Sequence, residues 1–176
     1  MDFRMKRVWL GVTILAFTLS IAPPAGAQVA PLDWAKLHAD AVQWLADLIR
    51  IDTTNPPGNE LAAARYIAQV LEREGISTEV IESAKSRGIV IARLRAGAFP
   101  DPARALLLLA HTDVVGVDRK KWTVDPFGGV VRDGYLYGRG ALDMKGPLVA
   151  YLAAFIALKR AGTPLSRDVI FLAEGD

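Results

Sequence analysis

The sequence predicts an α/β protein, and three observations carry that prediction. Segments with helical periodicity alternate with short runs rich in apolar and β-branched residues. One run, Ala105 to Ala110, is apolar on both faces, as in a central strand covered by helices on both sides. Asp133-Gly134, set between Val130-Val131-Arg132 and Tyr135-Leu136-Tyr137, is the short-range signal of a two-residue hairpin.

A chain of 176 residues with 52% hydrophobic positions can bury one core, and its length favours a single domain. Its net charge of +2 comes from the first 27 residues. Removing Arg4, Lys6, Arg7 and Asp2 from the 21 basic and 19 acidic residues leaves 18 of each, so charge gives no case for nucleic acid. The same 27 residues read as a secretory signal peptide: a positive start, an apolar run from Val8 to Ala22, and small residues at Ala25 and Ala27 before the cleavage point. The apolar run is too short to span a bilayer comfortably and no stop-transfer segment follows, so the expectation is a secreted or periplasmic protein with no membrane span after cleavage. With no cysteine, stability there has to come from packing and bound metal.

Apolar residues at three- and four-residue steps, Trp34, Leu37, Ala41, Trp44, Leu45 and Leu48, predict an amphipathic helix from Leu32 to about Ile51. His38 lies beside that stripe as a boundary residue and is assigned no chemistry. Paired prolines make Asp52 to Asn59 a loop. Asn59 is expected to cap a second helix from Glu60 to Glu74, with Gly75 as its stop. Two β-rich runs follow, Ile76 to Ile81 and Gly88 to Leu94, and Gly97 to Ala103 is a Pro-containing loop. The basic cluster Arg119-Lys120-Lys121 reads as a solvated loop. A buried helix is expected from Pro147 to about Ala161, ending at Gly162, and an apolar strand from Asp168 to Ala173.

Candidate chemistry gathers between His111 and Gly146. His111 and Asp113 stand two residues apart just past the apolar strand, so both can face one side, with imidazole as a metal ligand and the carboxylate fixing its tautomer. Asp143, at the end of a glycine-bearing loop, can reach the same point and bridge two cations with its two oxygens. Spacing equally allows a turn at His111-Thr112-Asp113 and a helix-starting acid at Asp143, and leaves both readings open. Phosphate-loop patterns do not match: Lys145-Gly146 reverses the required Gly-Lys order.

An ordered set of motifs adds what spacing cannot. Asn55-Pro56-Pro57-Gly58-Asn59-Glu60, His111-Thr112-Asp113-Val114-Val115, Trp122 with Asp125-Pro126-Phe127, Asp133-Gly134-Tyr135-Leu136-Tyr137, and Gly138-Arg139-Gly140 leading to Asp143-Met144-Lys145-Gly146 occur in one order. Together they resemble the N-terminal part of the catalytic domain of the co-catalytic zinc exopeptidases, which include glutamate carboxypeptidases, aminoacylases, acetylornithine deacetylases and succinyl-diaminopimelate desuccinylases. The resemblance covers about Leu32 to Asp176 and implies a partial three-layer α/β/α domain with a mixed, mostly parallel sheet over residues 28–176. It implies His111 as a ligand of one zinc, Asp113 as the partner orienting that histidine, and Asp143 as the bridge between two zincs, followed by a commonly cis peptide. Cobalt or manganese are alternative metals. Arg139 and Lys145 have no ligand role in that pattern. Asp176 matches the aspartate that precedes the family's glutamate pair, so the general base lies outside this chain, and Glu174 does not match it. A later acidic ligand, a late histidine and the inserted dimerisation domain are also outside. Gly116 stands where relatives often have proline.

The implied reaction is metal-assisted hydrolysis of an N-acyl amino acid or of the C-terminal residue of a peptide. Secretion favours a carboxypeptidase or aminoacylase over the two cytosolic biosynthetic deacylases, with a homodimer when full length and the fragment inactive alone. The competing readings are a non-catalytic relative that keeps the scaffold for binding, and a doubly wound binding module without metal.

Overall fold

The computed structural model describes residues 31–97, 104–162 and 164–175. The expected signal peptide, most of the Gly97 to Ala103 loop and Asp176 lie outside them. Among the described residues, three α-helices, α1 (Trp34–Arg50), α2 (Glu60–Arg73) and α3 (Lys145–Ala161), and a 3-10 turn at Arg119–Lys121 accompany six strands. These are β1 (Thr78–Ala84), β2 (Arg87–Leu94), β3 (Leu106–His111), β4 (Val130–Arg132), β5 (Tyr135–Tyr137) and β6 (Val169–Glu174). Among the described residues no helix is long and apolar enough to cross a membrane.

Four strands form one sheet in the order β1-β2-β6-β3. β1 pairs antiparallel with β2, and β2 antiparallel with β6. β3 pairs parallel with β6, placing His111 opposite Glu174. The sheet is therefore mixed, with its parallel pairing confined, among the described residues, to β3 and β6. That pairing needs a crossover, and α3 lies within it. β4 and β5 form a separate hairpin whose turn is Asp133-Gly134, both at positive φ (55° and 81°), as the sequence signal requires.

Alternation along the strands decides where the core lies. Val90, Ala92, Ala110, Val169, Phe171 and Ala173 are buried and join Ile67 and Leu71 of α2 with Leu148, Leu152, Phe155 and Ile156 of α3 in one cluster. Their neighbours Ile89, Ile91, Ile170 and Leu172 are only partly buried. The described helices thus cover one face of the sheet, two of the three expected layers. α1 packs outside α3, with Leu37 and Leu48 turned into the core.

Several expectations need correction. β3 is the edge strand of the described sheet, and Leu106, Leu107 and Leu109 are 48%, 49% and 46% exposed. Its apolar composition suggested a central position, but among the described residues no element pairs with its outer side. Trp34, placed on the apolar stripe of α1, is exposed because the helix begins there and its first turn overhangs the core. Asn59 occupies the N-cap position of α2, yet its side chain makes no capping bond; its amide donates instead to the main-chain oxygen of Asp52 at 3.3 Å.

The C-terminal end of α3 is tied by charge. Arg160 donates from Nε and Nη2 to the two Glu74 oxygens at 2.9 and 2.6 Å, and from Nη2 to Asp40 at 3.1 Å, joining all three helices. The Arg160 bonds hold the Glu74 carboxyl below its ordinary value; burial pushes the Asp40 carboxyl up, but bonds from Lys36 and Arg160 outweigh it and hold that group low too. A depressed carboxylate stabilises the fold above its unfolded value and loses that contribution as pH falls through the folded one. Arg160→Met is therefore expected to cost about 1–2 kcal/mol at neutral pH. Urea unfolding at several pH values should show the gap to wild type closing in acid, below the ordinary carboxylate values of 4.5 and 3.8.

Candidate metal centre

The parallel pair β3 and β6 delivers its carboxyl ends side by side, the edge of an α/β sheet where sites form. Thr112 fixes the chain just past β3: its N–H donates to Glu174 O at 2.7 Å and its hydroxyl to the same oxygen at 2.9 Å. On the other side Thr53, fully buried, donates its hydroxyl to Thr112 O at 2.6 Å. Val114 N–H donates to Thr53 O and Asn55 N–H to Val114 O, at 3.1 and 2.9 Å, so the Pro-rich loop and the His111 loop run as paired backbone.

His111 is thereby held with each ring nitrogen facing a different aspartate. Nδ1 lies 3.1 Å from the main-chain oxygen of Asp113 and 3.2 Å from its Oδ1, and Nε2 lies 3.1 Å from Oδ1 of Asp143. Nδ1–H donating to Asp113 leaves the Nε2 lone pair toward Asp143, the tautomer a metal ligand needs. Asp113 is largely buried (14% exposed side chain), whereas Asp143 is 91% exposed and its second oxygen has no hydrogen-bond partner among the described residues. The peptide after Asp143 is cis.

The donor set fits a metal. Nitrogen and oxygen ligands about 2.0–2.1 Å from one ion at a near-tetrahedral angle stand about 3.3 Å apart, close to what is found between Nε2 and Oδ1. Among the described residues no group of three or more histidine, aspartate or glutamate side chains is arranged to hold an ion. Glu174 ends β6 opposite His111 and shares a hollow of about 380 Å³ with His111, Asp113 and Gly175. Its main-chain oxygen is the acceptor of both Thr112 bonds.

The loop carrying Asp143 depends on close backbone approach. Gly140 has φ +82°, and a Cβ there would come within 2.6 Å of Val114 Cγ1. Lys145 N–H donates to Gly140 O at 2.8 Å, closing the loop onto the start of α3. Sequence reading gave Lys145 no ligand role; it is fully buried, and its ammonium donates to Leu48 O at 2.8 Å and Ile51 O at 2.9 Å, tying the Asp143 loop to the last turn of α1. Burial pulls the lysine down to about 8, against the opposing pull of Asp52, Asp113 and Glu60. Glu60, also fully buried, meets Arg87 Nε at 2.7 Å, though neither oxygen receives a well-directed hydrogen bond among the described residues. The signal for Lys145 was available: a cation opens a helix that is apolar nearly all round until its last turn.

A cavity of about 410 Å³ opens on this arrangement, lined by His111, Asp113, Trp122, Arg139 and Asp143 among others. A larger hollow, about 920 Å³, lies at the other end of the sheet against Ile76, Leu94, Leu158 and Leu165, and contains none of these groups.

The sequence pattern of Peptidase family M20/M25/M40 matches residues 107–176, which include every element of this site except the Pro-rich loop and the end of α1. A probable succinyl-diaminopimelate desuccinylase of Staphylococcus epidermidis is 34% identical over 135 residues, covering 76% of this chain and 32% of that protein. Over residues 107–176 the chain carries this family's pattern. A succinyl-diaminopimelate desuccinylase of Ruegeria pomeroyi is 37% identical, covering 78% of this chain and 34% of its own length. Among solved structures, an M20 family metallo-carboxypeptidase of Sulfolobus solfataricus superposes with a TM-score of 0.64 at 26% identity, covering 80% of this chain and 30% of that one. Human carnosine dipeptidase 1 gives 0.60 at 27%, covering 80% and 32%. The chain thus spans about a third of the length of the curated relatives it matches.

Tight packing of the Asp143 loop gives a test. A Cβ at Gly146 would collide with Ala141 O. Gly146→Ala should destabilise by about 1–3 kcal/mol in denaturant unfolding, although alanine favours a helix by about 1 kcal/mol.

Proposed function

We propose that this chain is the N-terminal part of the catalytic domain of a secreted, metal-dependent amide hydrolase acting on N-acyl amino acids or on the C-terminal residue of peptides. The observation that supports it best is the placing of His111 Nε2 and Asp143 Oδ1 3.1 Å apart, with Asp113 behind the ring. In this reading His111 and Asp143 hold two divalent cations, zinc by preference, with Asp143 between them. When bound, the cations supply Lewis acidity toward water and toward an amide carbonyl. The chain's own residues do the positioning: Asp113 keeps the proton on Nδ1, Thr112 and Thr53 hold the loop, and Lys145 holds the start of α3. The general base and the remaining ligands come from sequence beyond these residues, and the complete protein is a homodimer.

A second reading, removal of an N-succinyl group, is favoured by the desuccinylase relatives at 34% and 37% identity. The complete gene product, loaded with zinc, is to be offered N-acetyl and N-succinyl amino acids and dipeptides. Hydrolysis that disappears on chelation and returns with zinc is expected; a metal-loaded protein that cleaves none of them would falsify the proposal. Residues 28–176 alone should neither bind paired zinc tightly nor turn substrate over. In the complete protein Asp113→Asn should lower zinc affinity or activity about 10- to 100-fold, read by metal titration and initial rates.

A further inference from the structure

Arg139 shares the cavity of His111, Asp113 and Asp143 but has no part in holding metal. It is the sole lysine or arginine among the residues lining that space. Its guanidinium carbon lies 5.5 Å from the centroid of the Trp122 ring, another wall of the same cavity. Its Nε is buried and donates to nothing among the described residues, and no carboxylate among them pairs with it. The two acids lining the cavity, Asp113 and Asp143, are engaged with His111.

That is an unusual state for an arginine. The group cannot shed its charge, and a buried N–H without an acceptor forfeits the bond that water would have given it. The backbone does not let the side chain drift away either. Arg139 N–H donates to Pro126 O at 2.7 Å, and the flanking Gly138 and Gly140 sit hard against Ile49 and Val114. A guanidinium stacked on an aromatic ring presents its fork in a fixed plane, which matches the two oxygens of a planar carboxylate.

We infer that Arg139 is the residue by which this cavity recognises a carboxylate of its substrate. The inference rests on the reading of the cavity as the place where an amide is cleaved. The carboxylate can sit on the amino-acid side of that amide or on the acyl side, as in a succinyl group, and the test separates the two.

Two measurements on the complete protein decide it. In the first, phenylglyoxal labelling of Arg139 is followed by peptide mass spectrometry in the presence of an N-acetyl amino acid, an N-succinyl amino-acid amide or a neutral N-acetyl amino-acid amide. Protection by one or both carboxylate-bearing compounds and none by the neutral one is expected, and the protecting compound names the side. Equal protection by all three, or by none, overturns the inference. In the second, Arg139→Met should raise KM for the protecting class of substrate about 10- to 100-fold beyond any change for the neutral amide, with Arg139→Lys recovering part of the loss. An equal rise for charged and neutral substrates means that Arg139 only packs on Trp122, and the inference fails. Labelling needs neither turnover nor a substituted protein. A protein that cleaves nothing but whose Arg139 is shielded by carboxylates alone sinks the proposed hydrolase while supporting the recognition role.

Discussion

One acceptor, the main-chain oxygen of Glu174, fixes where the candidate site stands. It receives both the N–H and the hydroxyl of Thr112, so the last bond of the β3–β6 ladder passes directly into the loop that carries His111 and Asp113. Thr112 and Thr53 are buried, which makes each of these bonds costly to leave unmade. From there the dependence spreads outward. The His111 loop pairs with the Pro-rich loop, the Pro-rich loop joins α1 to α2, and the end of α1 receives the ammonium of Lys145. The His111 loop and the Asp143 loop are supported by hydrogen bonds that each close over long sequence distances.

Sequence alone exposed those parts of the fold that are settled locally. The three helices follow from apolar spacing, and the hairpin from Asp133-Gly134, because a turn type and a helical period are properties of a few neighbouring residues. His111, Asp113 and Asp143 were legible as a set through ordered motifs, and the structure brings all three to one point. What stayed hidden is non-local. A leucine run reports that a strand is apolar, not which of its neighbours are present, so β3 was assigned a central place it lacks among the described residues. The partners of Lys145 lie 97 and 94 residues away, and no periodicity carries such a contact. Asn59 looked like a cap because its residue type is right, but its amide donates to Asp52 O, seven residues back, a contact that residue type does not report.

The two sides of the centre differ in stiffness of support. His111 is clasped by a largely buried aspartate and by a paired loop, while Asp143 stands almost wholly in solvent with only its backbone loop anchored. An imidazole needs its tautomer and plane fixed before an ion arrives, whereas a carboxylate accepts through either oxygen from several directions. The arrangement gives the firmer support to the side chain whose chemistry depends on orientation.

The outward leucines of β3 bear on how these residues behave when handled by themselves. An edge whose outer main-chain groups pair with no strand among the described residues, with half-exposed Leu106, Leu107 and Leu109, carries neither the lysines nor the prolines that blunt such edges. Such an edge is open to pairing with a second copy of the same strand, which would extend the sheet. For the segment handled alone, a lysine on the outer face of this strand is the change that would oppose such pairing.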